Sequence, residues 1–306
     1  MAIGFSMAPG DVYSDGISTV QVSMGISAST PKCYSFGEIK DGIVTITPIE
    51  ETTSKGMNRS LLCKFEAKFK VLYTNKTNLI KMLYYFVLHY FDWIITMQSG
   101  VTFTSALMAL PWIGCSFDFD SSKDFDGYRY VEFTLSRNML YSDIATLTGS
   151  NSSVLAYATA DATLALIANL AVTDLVPAGV TNFSLAPTGG ALEPVGVFRN
   201  AKLSIKSLTE MDNLKRARIR GFEMATEVEL MQSALTDIGI SQTINIPIDH
   251  SLTLPDGMIF KSVNQQGISW GFNALKDAGD VAYVKLMGKG ILNNASIATT
   301  WPALFT

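Results

Sequence analysis

The sequence predicts a mainly β protein with flanking helices, an α+β chain built as two tandem barrel or sandwich domains. Three observations carry this. In Leu61 to Tyr73, Cys63, Phe65, Ala67, Phe69, Val71 and Tyr73 are apolar or aromatic, while Lys64, Glu66, Lys68 and Lys70 are charged. That period of two is a long strand with one face in a core. The strand recurs at an offset of 159: Cys63 answers to Phe222, Phe65 to Met224, Phe69 to Val228 and Val71 to Leu230. Finally, the 306 residues are 48% hydrophobic and only 16% charged, where about a quarter charged is usual. So few charges point to surface covered by subunit contacts.

Residues 1–36 are rich in Gly, Ser and Met and read as an N-terminal arm laid over a surface, with Ser18 to Met24 as an edge strand. A first domain spans 37–141. It opens with a turn at Asp41-Gly42 and a β-branched strand, Ile43 to Thr47, ended by Pro48. Glu50 to Arg59 reads as a polar loop before the organising strand. Thr77 caps a helix running to Tyr90, with Leu79, Ile80, Leu83, Phe86 and Val87 at helical spacing. Lys81, His89 and Asp92 argue against a membrane span there. Trp93 to Met97 and Val101 to Ala106 are further strands. Gly114 to Asp120 pairs through an Asp126-Gly127 turn with Tyr128 to Leu135.

Residues 142–195 are Ala- and Thr-rich and read as a linker or insertion, with an Ala/Leu helix at 154–172. Residues 196–306 form the second domain and C-terminal tail. There Gly196 answers to Gly37, Asn200 to Asp41, Leu203 to Val44, Ile205 to Ile46 and Glu210 to Glu51. Trp270 is matched with Trp112, and Tyr283-Val284-Lys285 with Tyr130-Val131-Glu132. A period this long is a domain duplication rather than a solenoid. Charge changes sign between the copies, Lys68 becoming Glu227 and Lys70 becoming Glu229.

Little chemistry is encoded. With two histidines, His89 in the helix and His250 in a Pro247-to-Pro255 loop, a His-rich metal site is absent. No phosphate-binding glycine motif occurs. Cys33, Cys63 and Cys115 lack CxxC spacing, and an odd count suits a reducing compartment. The N-terminus shows no secretory leader. Asp118, Asp120, Asp124 and Asp126 fail the calcium-loop pattern, because Lys123 stands where Gly is needed; they read as an acidic hairpin facing solvent or a lumen. Net charge is −4, against a nucleic-acid binder. Lys64, Lys68 and Lys70, the stripe Arg216, Arg218 and Arg220, and Glu227 and Glu229 read as charge-complementary subunit-interface residues. No catalytic residue, cofactor or metal is expected.

The order Gly-x-x-x-Asp-Gly, a β-branched strand ending in Pro-x-Glu-Glu (Gly37 to Glu51), a loop, the long alternating strand, a helix and a late hairpin resembles the tail tube proteins of tailed bacteriophages. The resemblance covers 37–137 and 196–293. It implies tube-like β domains forming rings that stack around a DNA channel. The protein would then be a non-enzymatic virion structural protein of the tail, assembled in the host cytoplasm. Its partners would be copies of itself, other tail proteins and passing phage DNA bound without specificity. Carrying two copies departs from the family, so the ring would hold three chains with pseudo-sixfold symmetry, or six chains. A tail hub, neck connector or other capsid-associated role is the alternative, followed by a β-sandwich binding module or enzyme.

Overall fold

The computed structural model describes residues 16–24, 32–36, 38–52, 54–56, 58–72, 91–104, 114–140, 177–187, 189–211, 217–231, 248–262, 269–276, 282–293 and 304. These hold the strands β1 (Ile17–Met24), β2 (Lys32–Ser35), β3 (Ile39–Thr52), β4 (Asn58–Leu72), β5 (Phe91–Met97), β6 (Thr102–Thr104), β7 (Gly114–Phe125) and β8 (Tyr128–Leu140). The second half holds β9 (Asn182–Pro187), β10 (Glu193–Pro194), β11 (Phe198–Met211), β12 (Ala217–Met231), β13 (Ile248–Thr253), β14 (Ile259–Lys261), β15 (Ser269–Lys276) and β16 (Ala282–Asn293). Among the described residues only Leu304 is helical. The helices expected at 77–90 and 154–172 lie outside them.

One large sheet runs β15-β16-β12-β11-β7-β8-β4-β3, and two small sheets run β2-β1-β5-β6 and β10-β9-β13-β14. None closes into a barrel. The large sheet stops at β3 and β15, so each half is two packed layers, a sandwich. Alternation explains the layering. Phe65, Ala67, Phe69, Val131, Phe133, Ile205, Met224 and Val228 turn to one face and are buried with Val20, Trp93, Ile95, Phe183 and Leu252 of the small sheets. The other face carries the charges.

The halves repeat one another strand for strand. Both large-sheet units pair in the order β3-β4-β8-β7 and β11-β12-β16-β15. Val44 lies opposite Ala67, as Leu203 lies opposite Thr226. Even the irregularities coincide: register shifts fall between Lys40 and Ile43 and between Arg199 and Lys202. At both, the first of the two skipped residues has a left-handed backbone, Asp41 and Asn200 each at φ 48°, a conformation Asp and Asn tolerate. The strand junctions β5–β6 and β13–β14 match too, with Gly100 and Gly257 each at φ 84°.

Four expectations change. Asp41-Gly42 is a bulge inside β3 rather than a turn between strands; Gly42 has no room for a side chain, since a Cβ would sit 2.5 Å from Ile17 Cβ. Pro48 does not end its strand, which runs to Thr52, because β3 is an edge strand, where a missing N–H is tolerated. The strand Ile17–Met24 is not an edge: it lies between β2 and β5. The Trp270 match is displaced, because Trp270 lies opposite Gly288 in the way Cys115 lies opposite Leu135. The arm and the linker segment thus each give two strands, β1 and β2, β9 and β10, to a small sheet. The Asp126-Gly127 turn stands as expected, with both residues at positive φ, 54° and 83°, the geometry of a tight hairpin.

Candidate functional site

Among the described residues, two features of the large sheet have no further strand or sheet against them: its polar face and its two ends. The polar face is a ladder of charges in cross-strand rows. One row runs Lys70, Glu132, Asp118, Lys206 and Glu223 across five strands. Lys70 bonds Asp41 at 2.5 Å, and that bond raises the Lys70 pKa against the opposing effect of burial. Lys64 and Lys68 flank Glu66, and the bond from Lys64 lowers the Glu66 pKa. In the second half Glu227 meets Lys285 at 2.8 Å and Lys202 at 3.3 Å. Partial burial works to raise its pKa, and the two lysines more than reverse this. Glu229 accepts from Arg199 Nε at 2.8 Å and from Asn200 at 2.7 Å.

The sign change between repeats is therefore answered inside each half. Lys70 has Asp41 where Glu229, its counterpart, has Arg199 and Asn200. Arg220 bonds Glu210 at 2.8 Å. Arg220 is the extra residue of a bulge, since Ile219 and Gly221 pair while it does not; the Arg218 side chain lies outside the described residues. Arg216 lies outside the described residues. Of the acidic group, Asp118 and Asp120 lie in the polar-face rows, whereas Asp124 and Asp126 sit at the hairpin end, beyond a register shift after Phe119. Lys123 reaches Asp118 at 3.4 Å, and Ser122 donates to Asp120 at 2.9 Å through its backbone. The face as a whole is balanced between lysine and carboxylate rather than acidic.

The ends of the sheet are set by how the halves join. β11 pairs with β7 through Ser204–Asp120, Ile205–Phe119 and Lys206–Asp118. Beyond this short ladder, hydroxyls bridge the separating strands. Ser207 Oγ accepts from Phe117 N at 2.9 Å and lies 3.2 Å from Phe117 O. Ser121 Oγ accepts from Leu203 N at 2.8 Å, and its carbonyl accepts from Gly179 N at 2.7 Å. Arg129, fully buried, donates from Nη2 to the carbonyls of Pro177 and Gly179, each at 3.1 Å. Phe117 meets Phe222 across the joint with ring centroids 5.2 Å apart, so the apolar core is continuous.

Sequence reasoning missed Arg129, although the signal was present: it shares the odd-numbered face with Val131, Phe133 and Leu135. His250 is buried in β13, not in a loop, with Nε2 3.0 Å from Thr226 Oγ1. Burial lowers its pKa to about 3, so it is neutral near pH 7. Among the described residues no three His, Cys, Asp or Glu side chains are grouped to hold a metal ion, and no helix is long and apolar enough to cross a membrane. Comparison with known proteins finds no family model, no curated protein and no solved structure that matches this chain.

Proposed function

We propose that this protein is a structural ring component, one that oligomerises end to end around a channel, as in the tail of a bacteriophage virion, and has no catalytic role. The observation that carries the reading is the head-to-tail joint. β11, the outer strand of the second unit, pairs with β7, the opposite outer strand of the first. That leaves β3, the counterpart of β11, at one end of the sheet and β15, the counterpart of β7, at the other. A surface that joins to a different surface of its own kind can be repeated indefinitely, and it closes into a ring when the rotation per unit divides the circle. Unpaired edges also need covering, and a second copy of this chain supplies the matching edge. Three chains would present six repeats of one four-stranded unit.

The polar face supports a channel lining. Its lysines are interleaved with carboxylates, so it offers no cation stripe from which DNA would displace counterions. Passing DNA would not be held. The inequality of the two halves favours threefold symmetry, which also suits a hub between a tube and a threefold spike.

The test is a register-specific cross-link. The internal pair Lys206–Asp118 maps onto Thr47 and Asn273 at the free edges, a pair of the closely spaced kind, about 4.5 Å between Cα atoms, which a disulfide can bridge. Under oxidation, Thr47→Cys with Asn273→Cys should give covalent oligomers that stop at three chains, with an annulus by negative-stain microscopy. Oligomers without an upper limit, or no cross-link in the assembled protein, would sink the ring.

A further inference from the structure

We propose that the ring holds two unequal joints in alternation, a clasped one inside each chain and a weaker one between chains, and that Pro48 sets the weakness of the second. This rests on the ring reading above and concerns the same two edges. In the inner joint the backbone N–H of Leu203 points to the neighbouring strand, where Ser121 Oγ receives it. Ile205 and Ser207 share that direction, two residues apart. Their counterparts on the free edge of β3 are Val44, Ile46 and Pro48. Pro48 therefore turns its nitrogen outward, where there is no hydrogen to donate, and it carries no hydroxyl where Ser207 holds both backbone groups of Phe117.

The facing edge is stripped in the same way. By register, Ala274 stands for Phe119 and Ala282 for Arg129; two residues past Ala274 the chain has Lys276 where, two past Phe119, Ser121 stands in the stretch in which β7 and β8 lose register. The three-residue ladder itself survives the substitution, since Thr45, Ile46 and Thr47 can meet Leu275, Ala274 and Asn273 through backbone groups alone. What is lost is the set of bonds that the Ser207, Ser121 and Arg129 side chains make at the inner joint. A long edge strand is an association hazard, and proline on it is a known way of blunting such an edge. The consequence is a chain that stays apart when dilute and joins in one register when concentrated or templated.

The experiment is sedimentation velocity over a concentration series on the full chain, comparing wild type with Pro48→Ser, Pro48→Ala and Ile46→Pro. Folding of each is checked by circular dichroism. Pro48→Ser restores the N–H and the hydroxyl and should lower the dissociation constant between chains at least about fivefold, the effect of one added hydrogen bond. Pro48→Ala restores the N–H alone and should fall between. Ile46→Pro removes the central donor and should abolish association; Ala274→Pro on the facing edge replaces it if it fails to fold. If Ile46→Pro abolishes association and Pro48→Ser leaves it unchanged, Pro48 has no such role while edge joining stands. If all variants associate alike, or wild type and Pro48→Ser both stay monomeric at the highest soluble concentration, edge joining fails and this inference with it.

Discussion

The two halves share a backbone plan but not a core. In the first, Phe36, Phe69, Trp93 and Phe133 pack as one aromatic cluster; Phe36 stacks on Trp93 at 5.8 Å and Phe69 on Phe133 at 5.6 Å. In the second, the same positions hold Val195, Val228, His250 and Leu286, all buried. Ala67 becomes Thr226 and Trp93 becomes His250, and the hydroxyl and the ring nitrogen of the second pair satisfy each other. The backbone groups of His250 are also held, its N–H by Ser262 Oγ at 2.7 Å and its carbonyl by Ser262 N at 2.8 Å. The lesson is that this strand order and its bulges depend on the alternation of apolar and polar positions, while the core tolerates wholesale exchange of side chains so long as a buried polar group gains a partner.

Trp93→Ala tests the contrast most severely. Emptying the centre of the aromatic cluster should cost about 3–5 kcal/mol in urea unfolding. His250→Ala, at the matching position, removes less volume and should cost clearly less. Equal losses would show that the aromatic cluster adds nothing the second core lacks.

Arg129→Met addresses what lies between the halves. It leaves the carbonyls of Pro177 and Gly179 without this donor and should cost about 2–3 kcal/mol. It should also speed amide exchange at Gly179 and Leu203 more than in either small sheet. Uniform exchange across the chain would deny Arg129 its place as a clasp.

The last contrast is read by pH. His250 is neutral in the fold down to about pH 3, whereas an unfolded histidine takes up a proton near pH 6.5. Below pH 6.5 the unfolded chain binds the extra proton, so stability falls as pH falls, at up to about 1.4 kcal/mol per pH unit from this residue, until about pH 3. Above pH 6.5 the contribution is fully present. Thr226→Ala with His250→Trp, which installs the pair of the first half, should flatten that slope; an unchanged slope would assign the acid sensitivity to carboxylates instead.

Much of the fold was readable because a strand with one buried face must alternate, and β4 and β12 do so for most of their length. The constant offset from Val44–Leu203 to Val71–Leu230 was readable for the same reason, and the structure extends the repeat, at other offsets, to the small sheets. What escaped reading was local or distant. Asp41-Gly42 has the chemistry of a turn, and only pairing on both sides of it makes it a bulge. Pro48 looks like a strand terminator until the strand is known to lie at an edge. His250, between two prolines, looks like a loop residue until β9 lies beside it. The interface residues could be picked as charged, but whether Lys70 answers a neighbour or Asp41 depends on a bulge folding back across the strand.

By itself the sequence determined that the chain is β-rich, that it is built twice, and which face of each long strand goes inward, because burial of alternate side chains is a property of neighbours in the chain. Only the tertiary structure decided that the units join head to tail and leave β3 and β15 at the ends. Strand order across the joint is set by Ser121, Arg129 and Ser207 meeting backbone groups far away in sequence, and no local periodicity records such contacts.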